Sequence, residues 1–81
     1  MIKKYIISNG LPVLFPAEIT HADIANKIGI VESAGFFLII YNKKKQPINI
    51  VCMGESTSLL ISSRPKIDAK IIKNFFMDKH I

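Results

Sequence analysis

The chain has 81 residues, 49 % hydrophobic and 21 % charged, with a formal net charge of +5. That length supports a single domain, residues 1–81, around one modest core, and the composition excludes a disordered chain, which lacks the apolar surface to offset ordering entropy. The longest apolar run, Ala34 to Tyr41, falls well short of the ~18 residues that a membrane-crossing helix needs, so no membrane partner is expected.

Ile2 to Ser8 and Leu11 to Phe15 flank Asn9-Gly10, a dipeptide that tolerates positive φ at both turn positions and therefore predicts a β-hairpin. Pro12 lacks an amide donor, which places the second arm at a sheet edge. Lys3 and Lys4 precede apolar residues, but Asn9-Gly10 and the prolines interrupt any signal-peptide core, so the expected compartment is the cytoplasm. Thr20-His21-Ala22-Asp23 reads as a helix start, with the threonine oxygen accepting the Asp23 amide and the aspartate favouring the helix's positive end. Ile24, Ala25 and Ile28 carry the apolar face, and Gly29 supplies the stop.

Ile30 to Tyr41 is apolar and β-branched or aromatic without alternation, the pattern of a central strand with both faces covered. Gly35 marks either a bulge or a close approach. Asn42 to Gln46 forms a hairpin-length loop. Pro47 to Met53 returns as a strand, with Ile48, Ile50 and Cys52 on one face and Asn49, Val51 and Met53 on the other. Gly54 to Thr57 is a turn, and Ser58 to Ser62 a short last strand. Ser63-Arg64-Pro65 opens a final helix with proline near its first position, whose stripe of Ile67, Ile71 and Phe75, flanked by Ile72 and Phe76, faces the core. The fold expected is α+β, an antiparallel sheet of about five strands in the order ββαβββα, packed against a short helix and a C-terminal amphipathic helix.

Cys52, His21 and His80 are the soft metal ligands present, and none has the spacing of a structural zinc site. No cofactor motif and no nucleophile with a positioned base is legible, so an enzyme is not expected, and a lone cysteine excludes an internal disulfide. Cys52 between apolar neighbours reads as core. His21 lies in a first helical turn, where the dipole favours its neutral ring, as a ligand contact or as a partly exposed side chain. Glu55 is a turn carboxylate, a receptor for ribose hydroxyls or a general base. The lysines at 3, 4, 43 to 45, 66, 70, 73 and 79 form either a solvated surface or a phosphate-neutralising one.

The sharper candidate is the opening of the last helix. Ser62, Ser63 and Arg64 stand where free amides and the positive dipole end favour anions and where a guanidinium can grip phosphate, with Ser56, Thr57 and Ser58 as neighbours. The competing reading is ordinary capping by Ser63, turn hydrogen bonding by Ser56 and a surface arginine.

The succession VLFP (Val13 to Pro16), THAD (Thr20 to Asp23), SAGF (Ser33 to Phe36), CMGES (Cys52 to Ser56), Ser58-Leu59, SRP (Ser63 to Pro65) and DAKII (Asp68 to Ile72) resembles a group of short proteins encoded by bacteriophages and prophages. The resemblance spans residues 11 to 72. It implies a counter-defence binding protein in the host-cell cytoplasm, contacting its target through His21, Ser33, Glu55, Ser56, Ser58 and Arg64. Such a protein would sequester a phosphate-bearing, nucleotide-like molecule or, alternatively, antagonise a host defence complex in the manner of an anti-CRISPR, through its basic surface or an edge strand. Direct nucleic-acid binding ranks behind both, and edge pairing suggests a homodimer. The group tends to carry a small residue such as glycine where this chain has Leu60; a pocket lined by that position would be narrower here.

Overall fold

The computed structural model describes residues 2 to 78; Lys79 and His80, included above among the basic and metal-ligating residues, lie outside them. Among the described residues the order is β1 (Lys3–Ser8), β2 (Leu11–Phe15), α1 (His21–Ile28), β3 (Ser33–Tyr41), β4 (Pro47–Met53), β5 (Glu55–Ser56), β6 (Ile61–Ser62) and α2 (Pro65–Asp78). The fold is α+β, as expected. An antiparallel sheet in the order β2-β1-β3-β4 carries one helix on each face, and β5 and β6 pair as a separate two-stranded ribbon.

The hairpin turns on Asn9 and Gly10, with φ of 52° and 74°, the mirror-image geometry that matches strand twist. Pro12 sits in the edge strand β2. Thr20 caps α1, its Oγ1 accepting the Asp23 amide at 3.2 Å, and Gly29 ends the helix at φ 89°.

Register assigns the two faces. Tyr5 lies opposite Leu14 and Gly35, Ile7 opposite Pro12 and Ser33, and Phe37 opposite Lys3 and Cys52. Alternation therefore puts Tyr5, Ile7, Phe37, Ile50 and Cys52 on one face, where they pack with Ile72 of α2. The other face presents Ile6, Phe15 and Ala34, which α1 covers with Ile24, Ala25 and Ile28, helped by Leu59 and Ile61 from the β5–β6 ribbon.

Five details differ from the sequence reading. Glu55–Ser56, expected inside a turn from Gly54 to Thr57, forms β5 by pairing with Ile61 and Ser62. Strand β3 begins at Ser33 instead of Ile30; just ahead of it the Glu32 amide donates to the Ile7 carbonyl at 2.8 Å and the Glu32 carboxylate is taken by the Gly10 amide. Gly35 forms no bulge; the register shift falls at Ile40/Tyr41. The expected strand from Ser58 to Ser62 is a turn followed by β6, since Ser56 Oγ accepts the Leu59 amide at 3.2 Å and closes the ribbon early. Finally, α2 is rotated by one residue, about 100°, so that Asp68 and Ile72 are buried and Ile67 is 54 % exposed.

Leu60 has φ 56° and is 89 % exposed. It is a surface residue, and a glycine preference there follows from the backbone: a left-handed conformation costs an L-residue about 1–2 kcal/mol. Leu60→Gly is expected to raise stability by about 0.5–1 kcal/mol after the added freedom of the unfolded chain is allowed for, measurable as a higher urea midpoint with an unchanged slope.

Candidate functional site

The start of α2 is built around Asp68, which is fully buried although charged. Its Oδ2 accepts the Tyr5 hydroxyl at 2.5 Å and the Arg64 amide at 2.7 Å, and its Oδ1 accepts Ser33 Oγ at 2.8 Å and Arg64 Nε at 3.2 Å. Tyr5 and Ser33 reach it from neighbouring strands on the α2 face, where Gly35 stands opposite Tyr5. A Cβ on Gly35 would lie 2.6 Å from the Met53 carbonyl oxygen and 3.0 Å from Ser63 Cβ. That close approach sets where α2 begins: Ser63 donates from both its amide (3.0 Å) and its Oγ (2.7 Å) to the Gly54 carbonyl.

Negative charge at this helix terminus is thus supplied by the protein itself. The guanidinium is shared with Glu32, whose Oε2 lies 3.7 Å from Arg64 Nη2 and whose Oε1 accepts the Gly10 amide at 2.7 Å, tying the first hairpin to the last helix. At 3.7 Å the ion pair is Coulombic without a hydrogen bond, and Nη2 is buried with no acceptor.

Burial and the hydrogen bond to Asp68 both push the Tyr5 phenol far above its ordinary value, so it acts only as a donor. Burial pushes the Cys52 thiol up to about 11, against the lowering effect of the Tyr5 hydroxyl. It is therefore protonated near neutral pH, without the thiolate that nucleophilic chemistry uses.

The other sequence-selected residues lie elsewhere. His21 is on the opposite side of the sheet, 3 % exposed, edge-on to Phe15 and Phe36 at 5.4 and 5.8 Å, and its Nε2–H donates to the Gly35 carbonyl at 2.9 Å. Ser56 is buried, holding its own turn with Ser58 Oγ at 3.3 Å, while Glu55 and Ser58 are exposed on the ribbon. Ser33, Ser63 and Arg64 gather at the start of α2; His21 and the ribbon residues do not join them. Asp68, which sequence reasoning passed over, is the group that organises this end of the protein. Its signal was present in its place among Ile67, Ile71 and Ile72: a carboxylate one turn from a buried isoleucine must find donors.

Burial lowers the pKa of His21 below its ordinary value; the hydrogen bond to Gly35 opposes this and the charge of Lys4 adds to it. The folded state therefore favours the neutral ring. Its contribution to stability is complete above the unfolded value of about 6.5 and is lost as pH falls below it, at up to about 1.4 kcal/mol per pH unit until the lowered folded value is reached. Thermal unfolding is expected to show a midpoint that is flat from pH 8 to 7 and declines from about 6.5 downward. His21→Gln, which can donate a similar bond, should flatten that decline.

A second region emerges from what α1 leaves uncovered. On its face of the sheet the cross-strand pairs Phe36–Met53, Leu38–Val51 and Ile40–Asn49 run side by side along β3 and β4. Phe36, Leu38, Val51 and Met53 are only partly buried, and Ile40 is 39 % exposed. Basic groups border this strip: Lys4 Nζ lies 5.9 Å from the Phe36 ring centroid, and the exposed turn carrying Lys43, Lys44 and Lys45 closes its far end.

Among the described residues no three His, Cys, Asp or Glu side chains converge as metal ligands, and no helix is long and apolar enough to cross a membrane. Comparison with protein families, with curated proteins and with solved structures finds no match to this chain.

Proposed function

We propose that the chain is a non-enzymatic binding protein that engages another protein through the uncovered half of its sheet. One observation carries this reading. The unbroken apolar pattern of β3 suits a strand covered on both faces, yet among the described residues α1 and the β5–β6 ribbon pack over Ile6, Phe15 and Ala34, while Leu38, Ile40 and Val51 further along keep part of their surface open. Apolar side chains in register, rimmed by cations, are the ordinary makings of an interaction site. In the phage or prophage setting that the sequence pattern suggests, such a face would let the protein occupy a component of a host defence complex.

A photo-crosslinking amino acid in place of Leu38 tests this in cells. A discrete adduct from position 38, absent when the same group replaces Lys70 on the exposed side of α2, is the expected result. No adduct, or the same adducts from both positions, would defeat the proposal.

The unfilled Nη2 of Arg64 favours a second reading, in which a phosphate-bearing ligand docks at the start of α2. That ligand would compete with Asp68 and Glu32 for the same guanidinium. Calorimetry with a panel of nucleoside phosphates decides it: binding lost in Arg64→Ala supports the second reading, and binding unchanged removes it.

A further inference from the structure

We infer that the segment seated on the β3–β4 strip is an amphipathic α-helix with acidic flanks, contributed by a partner protein; this rests on the reading of the strip as the contact face.

Dimensions favour a helix. A four-stranded sheet is about 14 Å across between its outer strand axes, and packed helices lie about 8–10 Å apart. With α1 and the β5–β6 ribbon over Ile6, Phe15 and Ala34, the width left on that face over the C-terminal half of β3 and over β4 suits one helix. From Phe36 to Ile40 the strip is about 13 Å long, or some two and a half helical turns. A helix with apolar residues at i, i+3 or i+4, and i+7 would set its anchors over Phe36–Met53, Leu38–Val51 and Ile40.

The sheet edges oppose the alternative of an added strand. Strand β2 carries Pro12, and β4 opens with Pro47 and has its Ile50 amide taken by Asn49 Oδ1 at 2.9 Å. Both edges are blunted by the devices that prevent pairing.

Charge selects the flanks. No carboxylate occupies the strip positions 36, 38, 40, 49, 51 and 53, whereas Lys4 lies beside Phe36 and Lys43 to Lys45 follow the strip's end. A second copy would carry the same net charge of +5, and its approach would be opposed where an acidic helix is attracted.

The test uses two designed helical peptides of about 15 residues with the same leucine face, one flanked by glutamates and one by lysines. Binding is read by fluorescence anisotropy and mapped by amide chemical shifts. The glutamate peptide is expected to bind on the order of ten-fold more tightly at low salt, with that preference shrinking as salt rises and shifts clustering on residues 36 to 40 and 51 to 53. Val51→Asp should weaken it by a further order of magnitude. Should Val51→Asp disturb folding, Lys43→Glu with Lys44→Glu on the exposed turn serves instead and should erase or reverse the preference.

Equal affinity for the two peptides, shifts on another face, or no binding of either would overturn the inference. If neither binds and light scattering shows a dimer that Val51→Asp dissociates, the occupant is a second copy; the helix falls and the contact face survives. If Val51→Asp also leaves the Leu38 crosslinks unchanged, the contact face falls with it.

Discussion

Asp68→Ala is expected to cost about 3–5 kcal/mol, the range for breaking a buried charged network from one side. The carboxylate is fully buried and accepts from the Tyr5 hydroxyl, the Ser33 hydroxyl, the Arg64 amide and Arg64 Nε. Removing it leaves the fully buried Tyr5 and Ser33 hydroxyls without that acceptor and strips the part-buried Arg64 amide of its cap, and each unsatisfied buried group carries its own desolvation penalty. In a domain of this size the loss corresponds to a fall in thermal midpoint of about 4–8 °C per kcal/mol, enough to unfold much of the population at physiological temperature. Tyr5→Phe removes one donor and leaves the carboxylate the others, so about 1 kcal/mol is expected. Urea titration of both variants checks the ordering; an Asp68→Ala loss no larger than that of Tyr5→Phe would show that the network does not hold α2.

Gly35→Ala carries the second large effect, of about 3 kcal/mol, from overpacking where the neighbours cannot give. The contact that a new methyl group would make at 2.6 Å is with the backbone oxygen of Met53, and the next, at 3.0 Å, is with Ser63 Cβ. Relief requires moving the β4–β5 junction or the start of α2, and Ser33 and Asp68 meet across that boundary. The variant should lose amide-exchange protection around Ser63 to Asp68 first, with α1 and the first hairpin keeping theirs until global unfolding.

The hairpin, the cap of α1 and the β3–β4 pair were legible because each depends on local chemistry: Asn9-Gly10 for the turn, Thr20 and Gly29 for the helix ends, β-branched runs for the strands. The face of α2 was not. Ile67, Ile71 and Phe75 make as regular a stripe as Asp68, Ile72 and Phe76 with Ala69, and periodicity cannot tell which of two adjacent stripes is inward. Tertiary donors decided it, by drawing a carboxylate into the core at the cost of exposing Ile67. The start of α2 was legible as a cluster of serines and an arginine, but the acceptors that engage them come from Gly54, Glu32 and Asp68, at separations that no local pattern encodes. The open strip was present in the sequence as an excess: β3 stays apolar through Leu38 and Ile40, beyond the residues that α1 and the β5–β6 ribbon pack against.

The bond between Tyr5 and Asp68 joins residues 63 positions apart, and Glu32 links the first turn to Arg64. Contacts of such long span form late and make small domains fold slowly. Without α2 in place, Tyr5 and Ser33 lack the Asp68 acceptor and the face of the sheet carrying Ile7, Phe37 and Cys52 is open. Docking of α2 is therefore the step that covers this face and fastens both strands and the first turn to one carboxylate and one guanidinium.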